Sequence, residues 1–225
     1  MDLNYSVIYS KRKKLSITVE RDRSIVVRAP EGTSPEKIQS VIESKKQWLF
    51  EKTHHPQKYA SLPHPPGKEL VNGESILYLG RYYRMELVDS SGDIRFHNRF
   101  FIPKAMVPFG RRALRHWFKK RAEEKINPRV QHYSKSLGAE YNLLNITNSK
   151  YRWGSCSTKD NLNLNWRLIK APMFVIDYII VHELAHLIEG NHTPRFWNIV
   201  RAQVADLDKA KKWLRENGQL LESDI

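Results

Sequence analysis

The sequence has a single cysteine, Cys156, among 225 residues. No intramolecular disulfide is possible, and a reducing, cytoplasmic setting is expected. The chain opens without a basic segment leading into a long apolar stretch, so no signal peptide is expected. Long hydrophobic runs are also lacking. The nearest approach, residues 174–181, contains Asp177 and is too short to cross a bilayer, so no membrane association is expected. Acidic residues are scarce beside basic ones, 24 against 38, for a net charge of +14. Repeats and low-complexity segments are absent. What remains is ordinary for a folded protein, with 40% hydrophobic and 28% charged residues.

The basic excess is uneven. Residues 61–135 carry 15 Lys and Arg against 7 Asp and Glu, whereas residues 136–225 are close to balanced at 11 against 10. A basic surface of this kind serves solubility or attracts a polyanion such as nucleic acid.

Polar–apolar alternation with β-branched and aromatic residues predicts strands at 5–10, 16–20 and 24–28. Ser34 as N-cap and Pro35 at the first helical position then open a helix running to about residue 52. Residues 54–68 are a proline-rich irregular connection holding three of the nine histidines, read as surface residues. Short strands follow at 75–79, 82–88, 94–96 and 99–102. From Pro108 the period becomes helical. Ala113, Leu114, Trp117, Phe118, Ala122, Ile126, Val130, Tyr133 and Leu137 define one face. Arg111, Arg112, Arg115, Lys119, Lys120, Arg121, Lys125 and Arg129 crowd the other. Pro128 is expected to bend or break this helix, and Gly138 to end it. Two neighbouring strands, 143–150 and 162–168, precede a helix from Ala171-Pro172 to Glu189. Thr193 and Pro194 open a last helical region ending near Glu216. The expected division is a β-rich N-terminal unit with one helix, residues 1–105, and a second domain, residues 106–225.

Residues 182–186 read His-Glu-Leu-Ala-His. Positions four apart on a helix differ by only about 40° around its axis. His182 and His186 therefore point the same way and can share one Zn²⁺ ion. Glu183 sits beside them, placed to take a proton from a zinc-bound water and pass it to a leaving amine. A catalytic zinc needs a third protein ligand. Glu189 would have to share the helix face; His192 lies past Gly190, where the chain can turn and bring a side chain back. The spacing favours His192. Metzincins carry glycine three residues after the second histidine; here that position is Glu189, and no Met-turn follows.

Around this motif stand Arg152-Trp153-Gly154-Ser155-Cys156-Ser157, then Leu164-Asn165-Trp166-Arg167-Leu168 with Pro172, then the run from Ile176 to Leu187, Asn191-His192, and Phe196-Trp197. In this order they resemble the YgjP-like metal-dependent hydrolases, and the resemblance extends to the basic N-terminal β-β-helix unit. It implies an α+β fold with a zincin-like core, SprT-like or minigluzincin-like, in which a sheet and a supporting helix flank the active-site helix. It also implies zinc on His182, His186 and His192. The expected function is a zinc-dependent metallopeptidase acting on peptide or protein substrates. Two alternatives accompany it: a nucleic-acid-associated protease or DNA-binding protein using the basic helix 111–129, and a zinc hydrolase of non-peptide amides. Substrate would add as a strand along the 143–150 and 162–168 pair, with Asn165 facing the cleft. Arg152 either stabilises an oxyanion or pairs with a carboxylate. Cys156 reads as an ordinary thiol, with latent zinc ligation as the alternative, and Trp153, Trp166, Phe196 and Trp197 read as core.

Overall fold

The structure is a computed structural model that describes residues 4–19, 24–54, 70–149 and 152–222. It is mixed α+β and forms two compact units, residues 1–63 and 64–225. The connection expected to be irregular lies, apart from His54, outside the described residues.

In the N-terminal unit, β1 (Tyr5–Ser10), β2 (Ser16–Val19) and β3 (Ile25–Pro30) form a sheet of order β1-β3-β2. Strand β3 is parallel to β1 and antiparallel to β2. Ser34 caps α1 (Pro35–Ser44) by accepting from the Lys37 amide at 3.4 Å. The single helix expected here is two, because Lys45 leaves helical geometry (φ −109°, ψ 9°) before α2 (Lys46–His54) begins. Ile25, Val27, Ala29, Ile38, Ile42 and Leu49 make a small core of their own.

The C-terminal unit begins with β4 (Ser75–Tyr78), β5 (Arg81–Val88), β6 (Arg95–Phe96) and β7 (Phe100–Pro103), ordered β4-β5-β7-β6. A short 3₁₀ turn leads into α3 (Gly110–Leu137), which ends at the left-handed Gly138 (φ 64°). Pro128 does not break α3. It is exposed, and the buried Ile126 and Val130 hold the helix on either side of it. A second sheet follows, ordered β8-β10-β9, from β8 (Leu143–Thr147), β9 (Gly154–Cys156) and β10 (Asn161–Asn165). Another 3₁₀ turn, Trp166–Lys170, leads into α4 (Met173–Ala185), then α5 (Pro194–Gln203) and α6 (Leu207–Glu222).

The division falls at 63/64, not at 105/106, for a visible reason. The β4–β5 hairpin is docked on the turn that precedes α4. Leu79 and Gly80 donate backbone hydrogen bonds to Ile169 and Lys170, at 2.9 and 2.8 Å. Gly80 approaches so closely that a Cβ there would sit 2.5 Å from the Pro172 ring. Tyr78 and Phe100 of this sheet pack edge-on against Trp117 and at an angle to Phe118 of α3 in one continuous core. Separating these strands from the second domain would expose that core.

Helix α4 is buried on nearly every side: Val175, Ile176, Tyr178 through Val181, and Glu183 through Ala185 are all buried. Burial all round, not intrinsic propensity, explains a helix built from a β-branched run. One ion pair anchors it laterally, since the Arg129 guanidinium of α3 grips both oxygens of Asp177. Arg129 was expected on the solvated basic face; it is instead the tether between the two helices.

Candidate metal centre

His182 and His186 stand on the last turn of α4, with His186 as its C-cap. The regular helix stops at Ala185, and hydrogen-bonded turns carry the chain to Glu189 in place of the expected last turn of helix. The chain then reverses through residues 187–193, and Thr193 starts α5 by accepting from the Phe196 amide at 3.3 Å. This reversal brings His192 back to the helix. One ligand atom from each of His182, His186 and His192 falls within 4.8 Å of the others. The Nε2 atoms of His182 and His192 are 3.1 Å apart. Two nitrogens on one tetrahedral zinc would stand about 3.3 Å apart. Glu189, the other candidate, is not part of this group.

The cluster rests on aromatic rings. Phe196, fully buried, lies 5.0, 4.7 and 4.7 Å from the ring centres of His182, His186 and His192. Trp197 stacks on His192 at 5.6 Å and 21°, and the Lys211 ammonium of α6 sits 3.5 Å from the Trp197 ring centre. Phe196 and Trp197 thus combine packing with support of the site. Burial, with His186, His192 and Lys211 nearby, pushes the His182 pKa down to about 3. His192 shifts the same way, through desolvation, His186 and Lys211. Imidazoles kept neutral present lone pairs, the form a metal ion binds. The donor set therefore fits a zinc ion: three histidine nitrogens converge within 4.8 Å of one another beside an open cleft.

That space is a cleft of about 550 Å³, lined by His182, Glu183, His186, Gly190, Arg152 and the segment from Gly154 to Thr158. Glu183 is only 7% exposed. Burial raises its carboxyl to about 7, against the lowering effects of a backbone hydrogen bond from Cys156 and of Arg152. Tyr178, also buried, is pushed up to about 12 by burial first and then by the charge of Glu183.

The cleft wall is β9, a short strand lying in sequence between the two that were expected. It is antiparallel to β10, with Gly154 opposite Leu164 and Cys156 opposite Leu162. The central strand is β10, so the open edge beside α4 belongs to β9, not to the pair of strands expected to provide it. Gly154 is required by proximity: a Cβ there would lie 2.6 Å from Cγ and Oε1 of Glu183.

The remaining candidates separate. Arg152 is exposed and lines the cleft, close enough to Glu183 to lower its pKa. Asn165 does not face the cleft. It is fully buried, its amide donates to the carbonyls of Ser149 and Arg152 at 2.7 and 3.2 Å, and its oxygen accepts from the Arg167 amide at 3.1 Å. Asn165 thereby holds the backbone carbonyls of Ser149 and Arg152. Cys156 lines the cleft outside the histidine group, with Sγ near the Ser157 carbonyl at 3.6 Å.

No functionally curated protein matches the chain. Among solved structures, it is similar to the metallopeptidase zymogen abylysin of Pyrococcus abyssi, at 23% identity over 44% of this chain and 98% of that one, with a TM-score of 0.38. It is also similar to the zymogen jannalysin of Methanocaldococcus jannaschii, at 24% identity over 43% and 97%, with a TM-score of 0.35. The YgjP-like metallopeptidase domain matches residues 13–217, nearly the whole sequence, and the chain belongs to that family of metal-dependent peptidases.

Proposed function

We propose that this chain hydrolyses peptide bonds with one zinc ion held by His182, His186 and His192, and with Glu183 as the proton-transferring residue. The observation that carries the reading is the convergence of the three histidines within 4.8 Å beside a buried carboxylate. When bound, zinc supplies Lewis acidity, which acidifies water and polarises a carbonyl.

The chain's own residues do the rest. Glu183 takes a proton from the attacking water and delivers it to the departing amine. The Cys156 amide and Arg152 oppose the pull of burial on its pKa, which keeps it near the working range of such a group. The backbone edge of β9 receives the substrate as an added strand, so that affinity comes from main-chain hydrogen bonds. Arg152 offers positive charge to the developing oxyanion from the cleft wall. A cytoplasmic location belongs to the same reading and is supported by the free thiol of Cys156. Among the described residues, no helix is long and apolar enough to cross a membrane.

The test is metal content together with hydrolysis of unfolded protein substrates. Purified protein is expected to hold about one zinc per chain. Glu183→Gln is expected to keep the metal and to lose hydrolysis by a factor of at least about 10². Retained hydrolysis in that variant would remove Glu183 from the mechanism, and a metal-free active protein would remove the zinc.

A further inference from the structure

We propose that a second binding site, on the first half of α3, takes single-stranded nucleic acid. It rests on the charge and shape of that surface and is independent of the peptidase reading.

Between Asp93 and Glu123 the sequence holds nine Lys and Arg and no Asp or Glu. The structure sorts these cations into two groups. Arg99 pairs with Glu86, Lys104 with Asp89 and Arg121 with Glu124, while Arg95 lies over the Phe101 ring. Arg111, Arg112, Arg115, Lys119 and Lys120 are exposed and have no carboxylate partner among the described residues. Arg112, Arg115 and Lys119 recur three and four apart and form one stripe along the helix, ending at Glu123. Like charges at this spacing repel each other. A face that keeps them unpaired is suited to a partner bearing regularly spaced negative charge.

The shape of the surface narrows the choice of partner. The stripe borders a hollow of about 770 Å³ whose apolar lining includes Ile94, Met106, Phe109 and Trp117. Asp93 is the acidic residue on its rim. A second hollow of about 510 Å³, between Leu70, Val71 and the start of α3, shares Phe109 and Arg112 with the first. Phe109 therefore stands between two adjoining hollows, 56% exposed. A duplex offers phosphates but keeps its bases stacked internally, and an acidic peptide offers charge without flat rings. A single strand offers both phosphates for the stripe and unstacked bases for Phe109. The combination of unpaired cations and an exposed ring between two apolar hollows fits the single strand.

The experiment is fluorescence anisotropy of the full chain with labelled oligo-dT of 20 nucleotides, titrated at 50 to 200 mM NaCl. Four or five neutralised phosphates give a slope of log K against log salt of about −3 for a single strand. Arg112→Gln, Arg115→Gln and Lys119→Gln combined are expected to reduce that slope by about 2. Phe109→Ala is expected to weaken oligo-dT binding by about fivefold or more, with duplex binding unchanged. Zinc content and thermal unfolding verify that each variant is folded. No binding of oligo-dT at 50 mM NaCl overturns the proposal, as does an unchanged slope in the folded triple variant. Equal or tighter binding of a duplex, or of polyglutamate of matched charge, overturns the choice of a single strand.

Discussion

The three histidines of the candidate metal centre come from two unlike regions. His182 and His186 project from a helix buried on nearly every side and tethered by Arg129 to its neighbour. His192 is exposed, on a reversal between two helices, and is placed by rings: Phe196 beneath it, Trp197 stacked on it and Lys211 behind Trp197. The first region fixes its ligands through a packed core, where a small displacement is resisted by many contacts. The second places its side chain through a few ring contacts, so in the proposed enzyme part of its metal-binding energy goes to fixing that loop. In the proposed enzyme the centre is thus held more firmly on the helix side than on the loop side.

The sharpest way to break this comparison is to remove one ligand from each region. His186→Ala is expected to weaken zinc affinity on the order of a thousandfold, a third or so of a typical site's binding energy. His192→Ala is expected to cost about tenfold less, because part of what its bond contributes is offset by ordering the loop. Competition with a chromogenic chelator measures both. Equal losses would show that the loop is as preorganised as the helix.

Gly154→Ala probes the helix side from the cleft wall. Its Cβ would fall 2.6 Å from Glu183, and because the backbone at 154 lies outside the left-handed region the effect is purely steric. Glu183 should shift by up to an ångström, for a loss of about a hundredfold in kcat with zinc content unchanged. Trp197→Ala probes the loop side. It leaves all three ligands and removes the ring that orients one of them, so zinc affinity is expected to fall by about tenfold. Trp197→Phe should recover part of it.

Some of these spatial relations are legible in the sequence and others are not. The alignment of His182 and His186 was legible because helical geometry alone aligns positions four apart. The return of His192 to the helix was legible from its spacing after His186, although Gly190 has no left-handed φ and a Cβ there would meet open space, so the reversal does not depend on a glycine. Gly154 was not legible, because a strand of three residues has no period, and its need for a bare Cα arises from a carboxylate 29 positions away. Asn165 was misplaced because alternation along β10 divides side chains into two faces without telling which one is the cleft. The 105/106 boundary failed for a similar reason. The change from strand to helix periodicity is real, but the hydrogen bonds of Leu79 and Gly80 to Ile169 and Lys170 join strands to a turn some 90 residues downstream. Arg129 shared its composition with a solvated face, and only the position of Asp177 on α4 distinguishes it.

That ion pair supplies the smallest expected effect and tests how far the rigidity of α4 depends on its neighbour. The two partners are unequally placed: Asp177 is 13% exposed and Arg129 37%. Removing Asp177 leaves a guanidinium that can turn to water, so Asp177→Ala should cost about 1 kcal/mol of unfolding free energy. Removing Arg129 leaves a largely buried carboxylate without its counterion, so Arg129→Ala should cost more, about 2 kcal/mol, between the ranges for exposed and buried pairs. The double variant should fall nearer to Asp177→Ala than to the sum, since it strands neither charge. Urea unfolding of the zinc-free protein measures all three. The zinc affinity of the folded variants should stay within about threefold of the parent if the apolar packing around α4 holds the helix; a larger fall would make the pair, and not the core, the source of its rigidity.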